Sequence, residues 1–195
     1  LARKMATARG LDITITSTTD RLAGLDGCDA ILSSFRPGGF EARALDERIS
    51  NRHGLIGQET QGAGGFFMAL RAIEVMKGLA ADIEAVCPKA VVFNYTNPVN
   101  IVAQAWTQNS SIPLVSLCEG PIYFTAELAH AAGLDPAKTT STMVGLNHGC
   151  WSVEHAYDGQ DLIPFVQAAA RERLGPDSPL TVREQRILRL ASVME

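Results

Sequence analysis

The chain has 195 residues, enough for one domain with a real core or for one domain plus part of another. An apolar share of 46% with 19% charged residues and a net charge of −4 leaves no basic footprint, which sets nucleic acid aside as the default partner. No apolar run approaches the ~18 residues of a membrane span, and no signal-peptide pattern is visible. Cys28, Cys87, Cys118 and Cys150 lack the spacing of a zinc ribbon or of a disulfide framework, so they read as reduced thiols in a cytoplasmic protein.

Leu1 to Arg9 has helical composition, and Gly10 supplies a C-cap before the alternating run Leu11-Asp12-Ile13-Thr14-Ile15-Thr16, which predicts a strand. With no Met at its start and no strand ahead of that helix, the sequence reads as a fragment. Thr19 to Ala23 predicts a short helix broken at Gly27, and Asp29 to Phe35 the next strand. Alternation of helix and strand is the signature of a doubly wound parallel sheet.

Arg36-Pro37-Gly38-Gly39 follows that strand directly, so its glycines stand where a backbone can approach a phosphate or ribose; a plain turn is the alternative. Phe40 to Ser50 predicts a helix with a charged face, on which Arg43 has the ordinary reading of a solvated arginine. The polar, glycine-rich Gly57 to Gly65 opens a long helix expected over Phe66 to Val86. Its spacing matches neither a phosphate-binding loop ending in Gly-Lys-Ser/Thr nor the Gly-x-Gly-x-x-Gly fingerprint, which leaves an anion site or a flexible link.

Lys89 to Phe93 is an apolar run ending in Asn94-Tyr95-Thr96-Asn97-Pro98-Val99-Asn100, a buried strand delivering amides at its carboxyl end, where open parallel sheets bind ligands. A helix over Ile101 to Trp106 and a strand over Ile112 to Leu117 follow, and the strand delivers Cys118 and Glu119 side by side. Ile122 to Ala132 reads as a helix capped by Gly133. Thr139 to Val144 and Cys150 to Tyr157 read as strands, with Asp158-Gly159 a hairpin turn, and helices over Leu162 to Leu174 and Thr181 to Val193 close the chain.

Cys118 and His148 each sit just past an apolar run. Singly, each has a structural explanation as a small buried thiol or a satisfied imidazole. Together they fit either a nucleophile with its base or two ligands of a divalent metal, with Asn147 and substrate oxygens in the open positions. Glu119, beside the thiol, would then be placed to donate a proton to a leaving group. His53, His130 and His155 lie in ordinary helix or loop contexts and read as structural.

Six ordered motifs carry a resemblance from about Leu1 to Pro164: Phe35-Arg36-Pro37-Gly38-Gly39, Arg43-Ala44-Leu45-Asp46-Glu47, Gly57-Gln58-Glu59-Thr60, Asn94-Tyr95-Thr96-Asn97-Pro98, Leu117-Cys118-Glu119-Gly120-Pro121 and Gly145-Leu146-Asn147-His148-Gly149-Cys150-Trp151. In this order and spacing they resemble glycoside hydrolase family 4, whose NAD-dependent members stand outside the two-carboxylate glycosidase scheme. The resemblance implies a fold related to the lactate and malate dehydrogenases: a Rossmann-like doubly wound parallel sheet lacking its first βαβ, followed by the start of an α+β substrate domain. It implies a partial NAD-binding domain over residues 1–117 and the start of a metal- and substrate-binding domain over 118–195.

The implied reaction is hydrolysis of an O-glycosyl bond with NAD and a divalent cation, usually Mn2+. The sugar is oxidised at C3, deprotonated at C2 by a tyrosine, relieved of its aglycone by elimination, hydrated and reduced again. By motif position, Cys118 and His148 are the implied metal ligands, Glu119 the proton donor, and Glu59 a carboxylate that raises the basicity of the tyrosine. Arg43, Asn97 and Asn147 are the implied sugar contacts, and Arg36, Gly38 and Asn94 the implied cofactor contacts. Branches of the family carry Asp, Asn or His where this chain has Glu119. The tyrosine and the residues that read a 6-phosphate are expected after Glu195, and the glycine-rich NAD turn ahead of Leu1. A small glycoside substrate and a homodimer or homotetramer complete the expectation. Two other readings stand beside it: a 2-hydroxy-acid dehydrogenase of the lactate/malate type, and a non-catalytic derivative that binds a sugar or nucleotide.

Overall fold

Three short apolar runs, each ending in polar residues, build the sheet of the first half of the chain. In the computed structural model, which describes residues 1–193, they are β1 (Ala30–Ser33), β2 (Val91–Asn94) and β3 (Leu114–Ser116). They pair in parallel in the order β1-β2-β3, in a register that sets Ser33, Asn94 and Ser116 side by side at the carboxyl ends. Parallel neighbours need crossover connections, and helices supply them. Between β1 and β2 run α3 (Gly39–Arg52) and α4 (Gly62–Val86); between β2 and β3 runs α5 (Val99–Asn109).

The core follows from the helical period. On α4, Ala72, Met76, Leu79, Ala80 and Ile83 recur at the spacing of one face and are buried against Val92, Val102, Trp106 and Ile112. Full burial of each larger aliphatic side chain contributes about 1.5–3 kcal/mol. The indole of Trp106 also donates to the Ile112 carbonyl at 2.8 Å, so the largest core side chain keeps its polar atom satisfied. The opposite face of the sheet is open: Leu32, Phe93 and Val115, aligned across the three strands, are 67%, 36% and 44% exposed.

Two expectations are corrected here. Leu11 to Thr16 follows α1 (Ala2–Ala8) and Gly10, whose φ of +61° ends the helix, but it forms no strand. Leu11 and Ile13 are about half exposed. Alternation makes a strand only where a neighbouring ladder accepts it, and among the described residues none pairs with this run. The long helix begins at Gly62 rather than Phe66. A Cβ on Gly64 would lie 2.1 Å from the Gln58 carbonyl oxygen, and one on Gly65 would lie 2.5 Å from the Thr60 carbonyl. These glycines let the preceding loop lie directly on the first helical turn, which explains the glycine density by packing.

The chain divides into two compact units at Ser116/Leu117, and the second has its own core. It holds α6 (Gly120–Ala131), an antiparallel meander of β4 (Thr139–Leu146), β5 (Gly149–Tyr157) and β6 (Gln160–Asp161), and then α7 (Leu162–Arg173) and α8 (Val182–Ala191). Leu162, Val166 and Leu188 are fully buried, with Ala129 and Ala131 of α6 packed among them. Asp158 and Gly159, at φ +51° and +81°, make the tight turn between β5 and β6 expected of an Asp-Gly pair. Among the described residues no helix is long and apolar enough to cross a membrane.

One buried amide joins the strand ends. Asn94 Oδ1 accepts from Ser33 Oγ at 3.0 Å and from the Thr96 amide at 2.9 Å, while Nδ2 donates to the Thr96 carbonyl at 3.1 Å. Asn94→Ala would take this partner from the buried Thr96 amide and carbonyl, at a cost of about 1–3 kcal/mol, while Ser33 Oγ keeps its contact with Thr96 Oγ1 at 3.2 Å. Urea unfolding of the full-length protein should show that loss, and a variant within 0.5 kcal/mol of the parent, on the order of ordinary surface substitutions, would contradict it.

Candidate functional site

The candidate residues fall into two groups, one in each unit. In the first unit the organising side chain is Glu59, on the loop ahead of α4. Its carboxylate hydrogen-bonds the guanidinium of Arg36, lies 3.6 Å from Arg43 Nη1, and takes a further side-chain hydrogen bond from Asn97. Arg36 comes from the turn after β1, Arg43 from the first turns of α3, and Asn97 from the turn after β2. The turn after β1 with the helix it opens, and the distant turn after β2, thus converge on one carboxylate.

Burial alone would raise the pKa of Glu59, but the hydrogen bond and charge of Arg36, followed by Arg43 and Asn97, outweigh it and hold the carboxyl below its usual range. Glu59 is therefore ionised at neutral pH, which suits an anionic anchor and rules out service as a proton donor there. Arg43 is more than a solvated arginine: its Nε donates to Glu47 at 2.8 Å, one helical turn on, and that bond first among its causes raises its pKa. Arg36 is also set over the Phe40 ring, 5.7 Å from its centroid, while its Nη1 is buried without a hydrogen-bond partner. A buried, unspent guanidinium nitrogen fits the binding of an anionic or hydroxyl-bearing ligand.

Gly38, at φ +81°, is the N-cap of α3, and a Cβ there would come within 2.6 Å of the Ala42 Cβ. No side chain fits at this position, as a close backbone approach to a ligand requires. Asn94, an expected cofactor contact, has its side chain turned to the strand ends. It is fully buried and its amide is committed to Ser33 and Thr96, so it braces the turn. Ser116 was not singled out by the sequence. At the end of β3, its Oγ is buried and has no hydrogen-bond partner; its position as the last residue of an apolar run was the available signal.

In the second unit, Cys118 lies in the link between β3 and α6, and His148 is one of two residues joining β4 to β5. Cys118 Sγ is 3.9 Å from His148 Nε2. Two donors each ~2.1–2.3 Å from one ion lie about 3–4 Å apart, so the pair fits a shared cation. Among the described residues no group of three or more His, Cys, Asp and Glu side chains could hold a metal. The pair would leave positions open to water and substrate oxygens, as catalytic sites do.

His148 has a φ of +60°, a left-handed conformation rare outside glycine and enriched in Asn, Asp and His. A bulge on β5 at Val153 interrupts the same hairpin, where Thr142 faces Glu154 and Met143 faces Ser152. Asn147, half-buried, is the other turn residue. Glu119 is exposed at the N-cap of α6 without a capping hydrogen bond from its side chain. Among the remaining histidines, His155 lies near Asp161 and Ser152, and His130 near Glu184.

Comparison with known proteins sharpens this geometry. The family described as Family 4 glycosyl hydrolase matches residues 1–134. A Bacillus subtilis protein named as a probable 6-phospho-beta-glucosidase is 39% identical over 160 residues, 82% of this chain and 36% of its own length. A 6-phospho-alpha-glucosidase from gut microorganisms, solved in complex with NAD and Mn2+, is 28% identical with a TM-score of 0.79, over 88% of this chain and 40% of that one. Malate dehydrogenase from Plasmodium falciparum shares the fold at 14% identity, with a TM-score of 0.64 over 97% of this chain and 53% of its own. The chain thus spans less than half the length of the two glucosidases.

The charge state of Glu59 has a measurable consequence. A carboxylate whose folded pKa is lowered stabilises the native state above its unfolded value of ~4.3, and that contribution disappears as pH falls through the lower folded value. Glu59→Gln should therefore destabilise the full-length protein at pH 7, and the gap to the parent should close as urea titrations are moved to pH 3. A gap independent of pH would show that the carboxylate is not held ionised.

Proposed function

The chain belongs to glycosyl hydrolase family 4, and from that premise we propose that the protein of which it is a part hydrolyses the O-glycosyl bond of a 6-phosphoglucoside with NAD and a divalent cation. The observation that carries the reading is the approach of Cys118 Sγ to His148 Nε2, 3.9 Å apart though thirty positions separate them in sequence. The 6-phosphoglucoside class is taken from the two glucosidases that the chain resembles.

When bound, NAD would accept and return a hydride at C3 of the sugar, and Mn2+ would stabilise negative charge on the sugar oxygens as a Lewis acid. That is a redox-elimination route. Cys118 and His148 are the proposed holders of the cation; a thiolate is a soft ligand for Mn2+, so oxygen ligands from water and substrate supply the rest of the preference. Glu119 holds a proton for the departing glycosidic oxygen, and its exposed carboxyl at the start of α6 is free to move toward a leaving group.

Arg43, Asn97 and Asn147 orient sugar hydroxyls. Arg36 and the side-chain-free turn at Gly38 receive the cofactor, with the unspent Arg36 Nη1 as the donor. Glu59 remains ionised between its arginines, which keeps Arg36, Arg43 and Asn97 in register and supplies the negative charge that strengthens a nearby base. The proposed cofactor contacts accordingly lie in the first unit and the proposed metal ligands in the second. Four free thiols support a reducing, cytoplasmic setting, and a homo-oligomer is proposed with it.

Both assignments can be tested on the full-length protein with nitrophenyl 6-phosphoglucosides of either anomer. Hydrolysis should require NAD and Mn2+ together under reducing conditions; turnover that survives chelation and removal of NAD would overturn the reading. Cys118→Ser and His148→Gly should each weaken Mn2+ binding at least tenfold by calorimetry. Glycine accepts the +60° φ of position 148, so that loss reports the imidazole rather than the turn.

A further inference from the structure

Outside the proposed contacts, one partly buried ion pair, its carboxylate side buried and its arginine about a third exposed, stands against the turn that follows β1. Arg71 of α4 grips Asp46 of α3 with both terminal nitrogens, Nη1 to Oδ1 at 3.1 Å and Nη2 to Oδ2. Its Nε donates to the Pro37 carbonyl at 3.3 Å, inside the Arg36-Pro37-Gly38-Gly39 turn. Asp46 is 6% exposed. One planar guanidinium therefore connects α3, α4 and the middle of the turn.

The turn has a second fixed point at its start, where the Phe35 amide donates to Thr96 Oγ1 at 3.3 Å. Arg36 lies between these two anchors. A Cβ on Gly38 would stand 3.7 Å from Arg71 Nε, so the arginine packs directly on the turn it holds. Lysine cannot reproduce this arrangement: a single ammonium lacks the fork that meets a carboxylate and a carbonyl in one plane.

We propose that Asp46 and Arg71 are positioning residues for the cofactor, fixing the Arg36–Gly39 turn in the conformation that receives NAD. The proposal rests on the cofactor assignment made for Arg36 and Gly38. Neither residue touches the ligand; they act through the Pro37 carbonyl and through the constraint this places on Arg36. A partly buried ion pair contributes little net stability relative to apolar side chains of similar volume, whereas removing Arg71 alone leaves the buried Asp46 carboxylate stranded. Replacing both partners by apolar groups therefore separates positioning from folding.

The test uses the full-length protein and calorimetric titration with NAD and, separately, with Mn2+. In the double variant Asp46→Leu/Arg71→Met, thermal unfolding should stay near that of the parent. NAD should bind at least tenfold more weakly, and Mn2+ affinity should be unchanged. Arg71→Lys keeps a charge for Asp46 but loses the fork, and it should show the same NAD loss on a folded protein if the double variant does not fold. A folded variant of either kind that binds NAD like the parent overturns the proposal. A parent that binds no NAD overturns the cofactor assignment itself, an outcome distinguishable from a parent that binds and a variant that matches it.

Discussion

The carboxamide of Asn94 is the constraint on which the first unit depends. Buried at the carboxyl end of the central strand, it spends both lone pairs of its oxygen on Ser33 and the Thr96 amide, and returns a proton to the Thr96 carbonyl. Thr96, locked in this way, receives the Phe35 amide on its hydroxyl, so a single network fixes the departure of the chain from two adjacent strands. The turn of one strand carries Arg36 and that of the other carries Asn97, and both side chains converge on Glu59. The geometry of the candidate site is thus set by buried polar groups that hydrogen-bond to one another. Such groups specify geometry because leaving any one of them unpaired in the interior is costly.

Much of this order is written in the sequence. Apolar runs over Asp29 to Phe35, Lys89 to Phe93 and Ile112 to Leu117 identified the three parallel strands, and composition identified the long helix between the first two. Cys118 and His148 were marked by position, each just beyond such a run, and by the family motifs that hold them. What could not be read was local context supplied from elsewhere. Leu11 to Thr16 alternates as a strand should, yet pairing is a property of two segments, and one segment cannot report it. The glycines from Gly62 to Gly65 looked like a ligand loop because composition cannot distinguish a backbone that makes room for a phosphate from one that makes room for its own preceding loop.

Asn94 and Arg71 illustrate the same limit from opposite sides. An asparagine in a motif near a strand end invites a role at the ligand, and its burial shows that its side chain also braces the strand ends. An arginine in the middle of a long helix invites no role, whereas its fork spans two helices and a turn. In both cases the missing information is the direction of the side chain relative to segments far away in sequence, which no single position encodes.

The left-handed backbone at His148 also bears on how such a protein can change over generations. Most residues reachable from histidine by one nucleotide change, among them Leu, Pro, Arg and Tyr, are strained in that conformation, so they carry a folding defect as well as the loss of the imidazole. Asn and Asp, also one nucleotide away, tolerate it. The hairpin therefore channels drift toward two replacements that preserve the turn while removing the imidazole. A lineage that loses the imidazole by this path would keep the fold of the hairpin.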